Sequence, residues 1–384
     1  MGTNSDPLRR TRLLLLSGLA ALGGGCGGPD PPAPPGPSEP GGAVPSAGGG
    51  EYDESVLPWR MDEDEVLSVF TKFQPGTEFD PLSYHRRKAG SKLKYKWPEH
   101  PAGGFFIRTN SSHLRNDEEV AAVQPDLRVL VTGDSHTDGV CENSESYAGR
   151  LQALLRERHP GRSIEVLNSG TGGYSFYNYL GVLHRFLPLR PDVYVIGVYG
   201  GNDFIEVLDP WHHFQGTRRP APGGDYKPRI MAAKAVGDGR GLPAINQHFN
   251  QLVYLQERPD QVQVALEAGQ ALLGEVQRVC AAGGVRLIVL YIPPPADVEP
   301  RRFGDLFEEV SEALELTPAS RRLADRLADE LLAFLRDRGV EVIDGRAVFA
   351  DRPVPLYWQK DHHVNLDAHG LLAEALRPAV EAEL

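Results

Sequence analysis

Residues 128–139 read Arg128-Val-Leu-Val-Thr-Gly-Asp-Ser-His-Thr-Asp-Gly139. The run from Val129 to Thr132 is apolar and β-branched and ends at a glycine, which predicts a short strand in the middle of a sheet. Gly133 lets the backbone turn where the strand stops. Asp134 and Ser135 follow at once, so Ser135 falls at the carboxyl end of a strand, where open α/β sheets build their sites. Gly, Asp and Ser are also ordinary turn residues. The stretch therefore gains a chemical meaning only from what lies downstream.

From residue 127 onward, strand and helix patterns alternate. Strands are expected at 127–132, 164–168, 193–198, 285–291 and 340–343. Helices are expected at 147–158, 176–186, 262–281, 320–338 and 368–376. Ala324, Leu327, Leu331, Leu332 and Leu335 recur at helical spacing and mark a buried face. Such alternation gives a parallel sheet covered by helices on both faces. The expected fold class is α/β, a flavodoxin-like three-layer sandwich.

Three further stretches each fall near the end of an expected element. They are Val166-Leu-Asn-Ser-Gly-Thr-Gly-Gly-Tyr174, Val198-Tyr-Gly-Gly-Asn-Asp203 and Lys360-Asp-His-His-Val-Asn365. With Gly133-Asp134-Ser135 they resemble, in order and spacing, the sequence blocks of the SGNH hydrolases, also called the GDSL esterase/lipase family. The resemblance extends over about residues 105–384, and it implies the same three-layer fold.

The chemistry of these residue types agrees with that resemblance. A serine hydroxyl is a weak nucleophile until a base takes its proton, and histidine is the usual base near neutral pH. A carboxylate on the other ring nitrogen fixes the tautomer and stabilises the imidazolium. Ser135, His363 and Asp361 would fill these roles. Asp361 and His363 stand two apart, which places both on one side of an extended or turning loop and turns His362 away. The resemblance assigns the oxyanion donors to the backbone N–H groups of Ser135 and Gly173 and to the side-chain amide of Asn202. Asp134 and Asp203 are expected in support, with Asp203 orienting the local turn. His136 stands where the family often has an apolar residue. Gly170-Thr-Gly-Gly173 does not make a dinucleotide loop, because the third glycine of that pattern would be Ser175. No cofactor is expected.

The chain has 384 residues, 41% hydrophobic and 24% charged, as soluble globular proteins have. A formal net charge of −12 argues against nucleic acid as a partner. Three cysteines exclude a disulfide-built mini-fold and a cysteine-rich zinc cluster. Arg9, Arg10 and Arg12, then the apolar run Leu13 to Leu22, then Gly23-Gly-Gly-Cys26 read as an export signal too short to span a bilayer. Small residues before Cys26 resemble a bacterial lipoprotein site, with Gly23 where leucine is usual. Lipidation of Cys26 would hold the protein at a membrane surface; ordinary signal cleavage would release it.

The domain plan is a signal at 1–26, a disordered Pro/Gly-rich tether at 27–50, an N-terminal extension at 51–125 and a catalytic domain at 126–384. In the extension, Asp62-Glu-Asp-Glu65 reads as a solvated face. His85-Arg-Arg-Lys88 with Lys92, Lys94 and Lys96 reads as a local basic patch interleaved with Tyr95 and Trp97, and Lys92-Leu-Lys-Tyr-Lys-Trp97 alternates like a solvated edge strand; a functional basic surface there would attract an anionic polysaccharide or lipid headgroups. Residues 203–259 interrupt the alternation and read as a long loop forming a partial lid or cleft wall. His212 and His213 within it read as solvated, with no metal expected. The resulting expectation is an extracytoplasmic, lipid-anchored serine esterase acting on a small ester or an acylated glycan of the cell envelope or its surroundings. An acyl or O-acetyl transferase using the same acyl-enzyme, and a silent glycan-binding lipoprotein, are the alternatives.

Overall fold

The computed structural model of the protein describes residues 57–384, apart from 71, 72, 74 and 242–245. The expected signal, Cys26, the whole of the 27–50 tether and the first residues of the extension lie outside the described residues. Nine strands are present among those described: β1 (Thr77–Asp80), β2 (Tyr84–Arg87), β3 (Lys92–Lys96), β4 (Gly104–Arg108), β5 (Leu127–Gly133), β6 (Ile164–Asn168), β7 (Val193–Tyr199), β8 (Arg286–Ile292) and β9 (Glu341–Asp344). The last five form one sheet in the order β6-β5-β7-β8-β9, and every pairing in it is parallel.

The side chains explain why this sheet is covered on both faces. Every residue of β5 and β7 is buried. Alternate residues of a strand point to opposite sides, and here they enter two separate cores. Leu130, Tyr194, Ile196, Leu287 and Val289 join one core. Leu127, Val129, Val131, Val195 and Ile288 join the other. Helices Phe176–Phe186, Asp260–Gly283 and Leu323–Asp337 cover the first face, and helices Tyr147–Arg158 and Leu366–Glu381 cover the second. The result is the three-layer α/β sandwich expected from the alternation.

Two expectations need correction. The helix expected over 320–338 is broken into Pro318–Arg321 and Leu323–Asp337. The 203–259 insertion is not an irregular loop; it carries helices Asp203–Glu206, Leu208–Phe214, Tyr226–Gly239 and Asn246–Glu257. Proline, glycine and polar residues hid their periodicity, and their burial comes from tertiary contacts such as Phe204, Leu208, Phe249 and Leu252 in the first core. His212 lies in one of these helices and bridges Thr217 at 2.7 Å and Gln261 at 2.8 Å.

The segment before β5 packs on the first core through Met61, Val66, Tyr84 and Leu114. Its exposed acidic run opens helix Glu63–Phe70. There the Glu65 N–H donates to Asp62 Oδ1 at 2.9 Å while the Asp62 N–H donates to Glu65 Oε2 at 2.8 Å, a reciprocal cap. The tightest docking point is Gly181, where a Cβ would press into the Leu82 carbonyl.

Candidate active site

The β5 strand delivers Ser135 to the first position of the short helix Ser135–Asp138. Asp134 caps that helix, accepting the His136 N–H at 2.8 Å. Gly133 is required for space rather than for a special turn: a Cβ there would strike the Thr137 side chain and the Gly197 carbonyl. The next loop, after β6, comes within contact of the same helix, since a Cβ on Gly170 would meet Thr137 and Asp138. It then reaches Gly173 at φ +79°, a left-handed conformation that favours glycine. Neither the Ser135 nor the Gly173 backbone N–H finds an acceptor among the described residues. Asn202 follows β7, and its buried side chain makes no cap bond to the helix it precedes.

The Asp361-His-His363 loop is pinched shut by a bridge between Tyr357 and Val364 and by a Trp358 N–H bond to the His363 carbonyl at 3.1 Å. Asn365 ends it by capping the final helix, accepting from the Ala368 N–H at 3.1 Å. Inside the loop, Asp361 Oδ1 accepts both the His363 backbone N–H, at 2.8 Å, and the His363 Nδ1–H. Nε2 of His363 therefore carries the lone pair; it is shut off from solvent and has no hydrogen-bond partner among the described residues. Ser135 Oγ does not bond to it. The hydroxyl donates instead to Asp134 Oδ2, at a long 3.5 Å.

Between the two loops stands His136, fully buried and stacked on Tyr199 with ring centroids 3.7 Å apart. Its ring lies 4.9 Å from that of His363, and its Nδ1 takes the Val364 N–H at 3.4 Å. His136 so ties the serine helix to the histidine loop. His362 does not turn away as its spacing predicts: its ring tilts against that of His363 with centroids 4.1 Å apart and lies 5.8 Å from that of His136. His136, His362 and His363 each present a ring nitrogen within 4.8 Å of the others, the one cluster among the described residues with the donors for a metal ion. An ion there would take the same lone pair on His363 that a proton-accepting role requires.

Electrostatics differ sharply between these groups. Burial pulls the His363 imidazole down, but the Asp361 charge and hydrogen bond outweigh it, so its pKa stands above the ordinary histidine value. Burial works the other way on Asp361; the two histidines nevertheless hold its carboxyl below the usual carboxylate range. Burial keeps His136 far below the histidine range and His362 at about 3, and the His363 charge adds to both effects. These two rings are neutral at physiological pH. Burial pushes Asp134 up to about 7 against the pull of the His136 N–H and of His363.

Three contributors stand outside the roles expected from the sequence; of these, His85 and Arg87 read there as part of a basic surface patch, and both are buried instead. Glu206 stands four residues after Asn202, one helical turn on. Burial pushes its carboxyl up to about 8, against the lowering effect of the neighbouring Asn202 side chain. His85, from the N-terminal extension, donates from Nε2 to the Gly172 carbonyl at 3.0 Å, next to Gly173. Arg87 pairs with Asp138 at the end of the serine helix, and both side chains are buried. The spacing to Asn202 could have revealed Glu206. The basic run at 85–88 marks His85 and Arg87 only as charged residues, and their contacts at the site are not legible locally because their partners lie on distant elements. Asp203, by contrast, stands where the turn needs it, accepting the Tyr199 N–H at 3.0 Å and the Tyr179 hydroxyl at 2.7 Å.

A family model described as GDSL-like Lipase/Acylhydrolase matches residues 131–371. The chain belongs to the GDSL-like lipase/acylhydrolase family. It is accordingly an enzyme that hydrolyses ester bonds. Solved structures similar to this member include an alpha/beta hydrolase from the metagenome of Lake Arreo, Spain, with 19% identity, covering 67% of this chain and 96% of that chain, at a TM-score of 0.39. An acetylxylan esterase from Geobacillus stearothermophilus shares 15% identity over 66% of this chain and 94% of that chain, at 0.40. A GDSL-like lipase from Bacteroides thetaiotaomicron shares 13% over 68% and 93%, at 0.37. No curated protein matches the chain.

Proposed function

We propose that this GDSL-family hydrolase is a serine esterase in which Ser135 is the nucleophile, His363 the general base and Asp361 the group that fixes the His363 tautomer. The observation that carries this reading is the state of His363: Nδ1 is held by Asp361 while the buried Nε2 has no partner. Turning Ser135 Oγ away from Asp134 brings its proton to Nε2. Oγ then attacks the ester carbon, and the carbonyl oxygen becomes an oxyanion. The free N–H groups of Ser135 and Gly173 and the Asn202 amide receive that charge. Collapse breaks the ester C–O bond, the departing alcohol takes the proton from His363, and an acyl-Ser135 remains. Water gives its proton to His363, attacks the acyl carbon and releases the acid, and the proton returns to Ser135.

The substrate in this reading is an O-acetyl ester on a cell-envelope or extracellular glycan. The export signal expected over residues 1–26 supports the location. The test is a panel of activated small esters and O-acetylated glycans, assayed with and without an acceptor sugar. Release of free acetate at a rate unaffected by the acceptor is expected. Acetyl transfer to the sugar with no free acetate would replace hydrolysis by transfer.

A further inference from the structure

We propose that the outer face of the β3–β4 hairpin is a track for a polyanionic glycan, leading the chain that carries the ester to the Ser135 centre. The inference rests on the esterase reading above and adds the substrate's charge. In β3 the side chains alternate: Leu93 and Tyr95 are half-buried, while Lys92, Lys94 and Lys96 are exposed. Successive lysines on one strand face stand about 7 Å apart, so the row is about 13 Å long. The register sets Arg108 and Phe106 of β4 opposite Lys92 and Lys94. Three cations surround the Phe106 ring, with Lys92 Nζ at 4.7 Å, Lys94 Nζ at 5.7 Å and Arg108 Cζ at 5.4 Å from its centroid.

Arg108 is already neutralised by Glu142 at 2.8 Å and Asp117 at 3.4 Å. The lysines are not: among the described residues no carboxylate pairs with Lys92, Lys94 or Lys96. In a chain of net charge −12, an uncompensated cationic row is a local field that draws anions.

Lysines on an edge strand can serve only to keep other strands away. Two observations point further. The row aims at the catalytic loop: the turn after Lys96 places Trp97 and His100 against Trp358. Glu99 in that turn accepts the Gln359 and Lys360 N–H groups at 2.5 and 2.9 Å, which ties the end of the row to the loop of Asp361 and His363, where Lys360 is exposed. The row also holds a partly exposed aromatic ring between its charges. A ring suits the apolar face of a sugar and the lysines its carboxylates, so acidic sugar units in series match this surface better than a plane of lipid headgroups does.

The test uses the full chain and its Lys92→Glu/Lys94→Glu/Lys96→Glu variant, with folding checked by circular dichroism. Binding to polygalacturonate, neutral dextran and anionic phosphatidylglycerol vesicles is measured, together with hydrolysis of para-nitrophenyl acetate. Wild type should bind polygalacturonate and not dextran, and the variant should bind it at least about tenfold more weakly, with added salt weakening wild-type binding toward the variant's. Hydrolysis of the small neutral ester should be unchanged in the variant. Absence of wild-type binding to polygalacturonate, equal binding by the variant, or binding to vesicles alone would each overturn the track. Loss of para-nitrophenyl acetate hydrolysis in wild type would instead overturn the esterase reading, leaving the binding result to stand on its own.

Discussion

His363 is surrounded by groups that pull its proton affinity in opposite directions, and with His363 as the proposed base the winner would set the pH behaviour of the enzyme. Burial disfavours the imidazolium; Asp361 favours it, with the Asp134 and Asp138 charges adding to its effect, and the carboxylates prevail. A base must be neutral to accept a proton. Activity should therefore rise with pH through a pKa above the ordinary histidine value. Removing the carboxylate charge in Asp361→Asn should move this acid limb to lower pH, because the imidazolium loses its partner. The plateau should also fall by about three to four orders of magnitude, since the tautomer is no longer held. A kcat/KM profile against pH on one small ester measures both effects; an acid limb that moves upward would contradict the assignment. Legibility at this scale follows reach along the chain. Asp361, His363 and Asn202 sit in short blocks whose spacing is visible, whereas His85 meets Gly172 across 87 positions. The unpartnered Nε2 of His363 and the Ser135 bond to Asp134 were also beyond sequence, because they depend on rotamers.

Elements before the main sheet hold the loop that carries Gly173. His85 donates to the Gly172 carbonyl, and the Tyr174 hydroxyl donates back to the His85 carbonyl at 2.6 Å. The Asn178 side chain donates to the Ser83 carbonyl at 2.8 Å. The extension is thus a clamp on one wall of the site. His85→Ala should lower kcat about tenfold with KM on a small ester little changed, since it frees the loop whose Gly173 N–H is proposed to meet the transition state; a change confined to KM would refute the clamp. Gly181→Ala should destabilise the fold by about 1–3 kcal/mol, because a Cβ has no room against Leu82. Urea unfolding measures that loss. The parallel strands were legible because burial on both faces makes continuous apolar runs. The 203–259 helices were not, since their first-core residues are spaced among prolines, glycines and charges.

For the molecule as a whole, every side chain of the proposed centre lies within residues 57–384. A chain beginning at Glu51 should keep the kcat/KM of the full chain on a soluble ester. We propose that the segment before it serves location: export, then a lipid on Cys26. In a bacterial host the mature N-terminal peptide should begin at Cys26 and carry acyl mass. An unmodified peptide that begins at or beyond Gly27 would rule this out and make the protein a released one. Net charge in the sequence argues only against nucleic acid as a partner; that the lysines of β3 have no carboxylate partner among the described residues is legible only in the structure.

The central claim is that Ser135 forms the acyl-enzyme. An active-site serine phosphonate reacts only with a hydroxyl that a neighbouring base has activated, so intact mass measurement after its addition reads the claim directly. Wild type should gain one phosphonyl group, and peptide mapping should place it on Ser135. Folded Ser135→Ala should gain none and should not hydrolyse para-nitrophenyl acetate. Undiminished labelling or turnover in that variant would mean that another residue is the nucleophile.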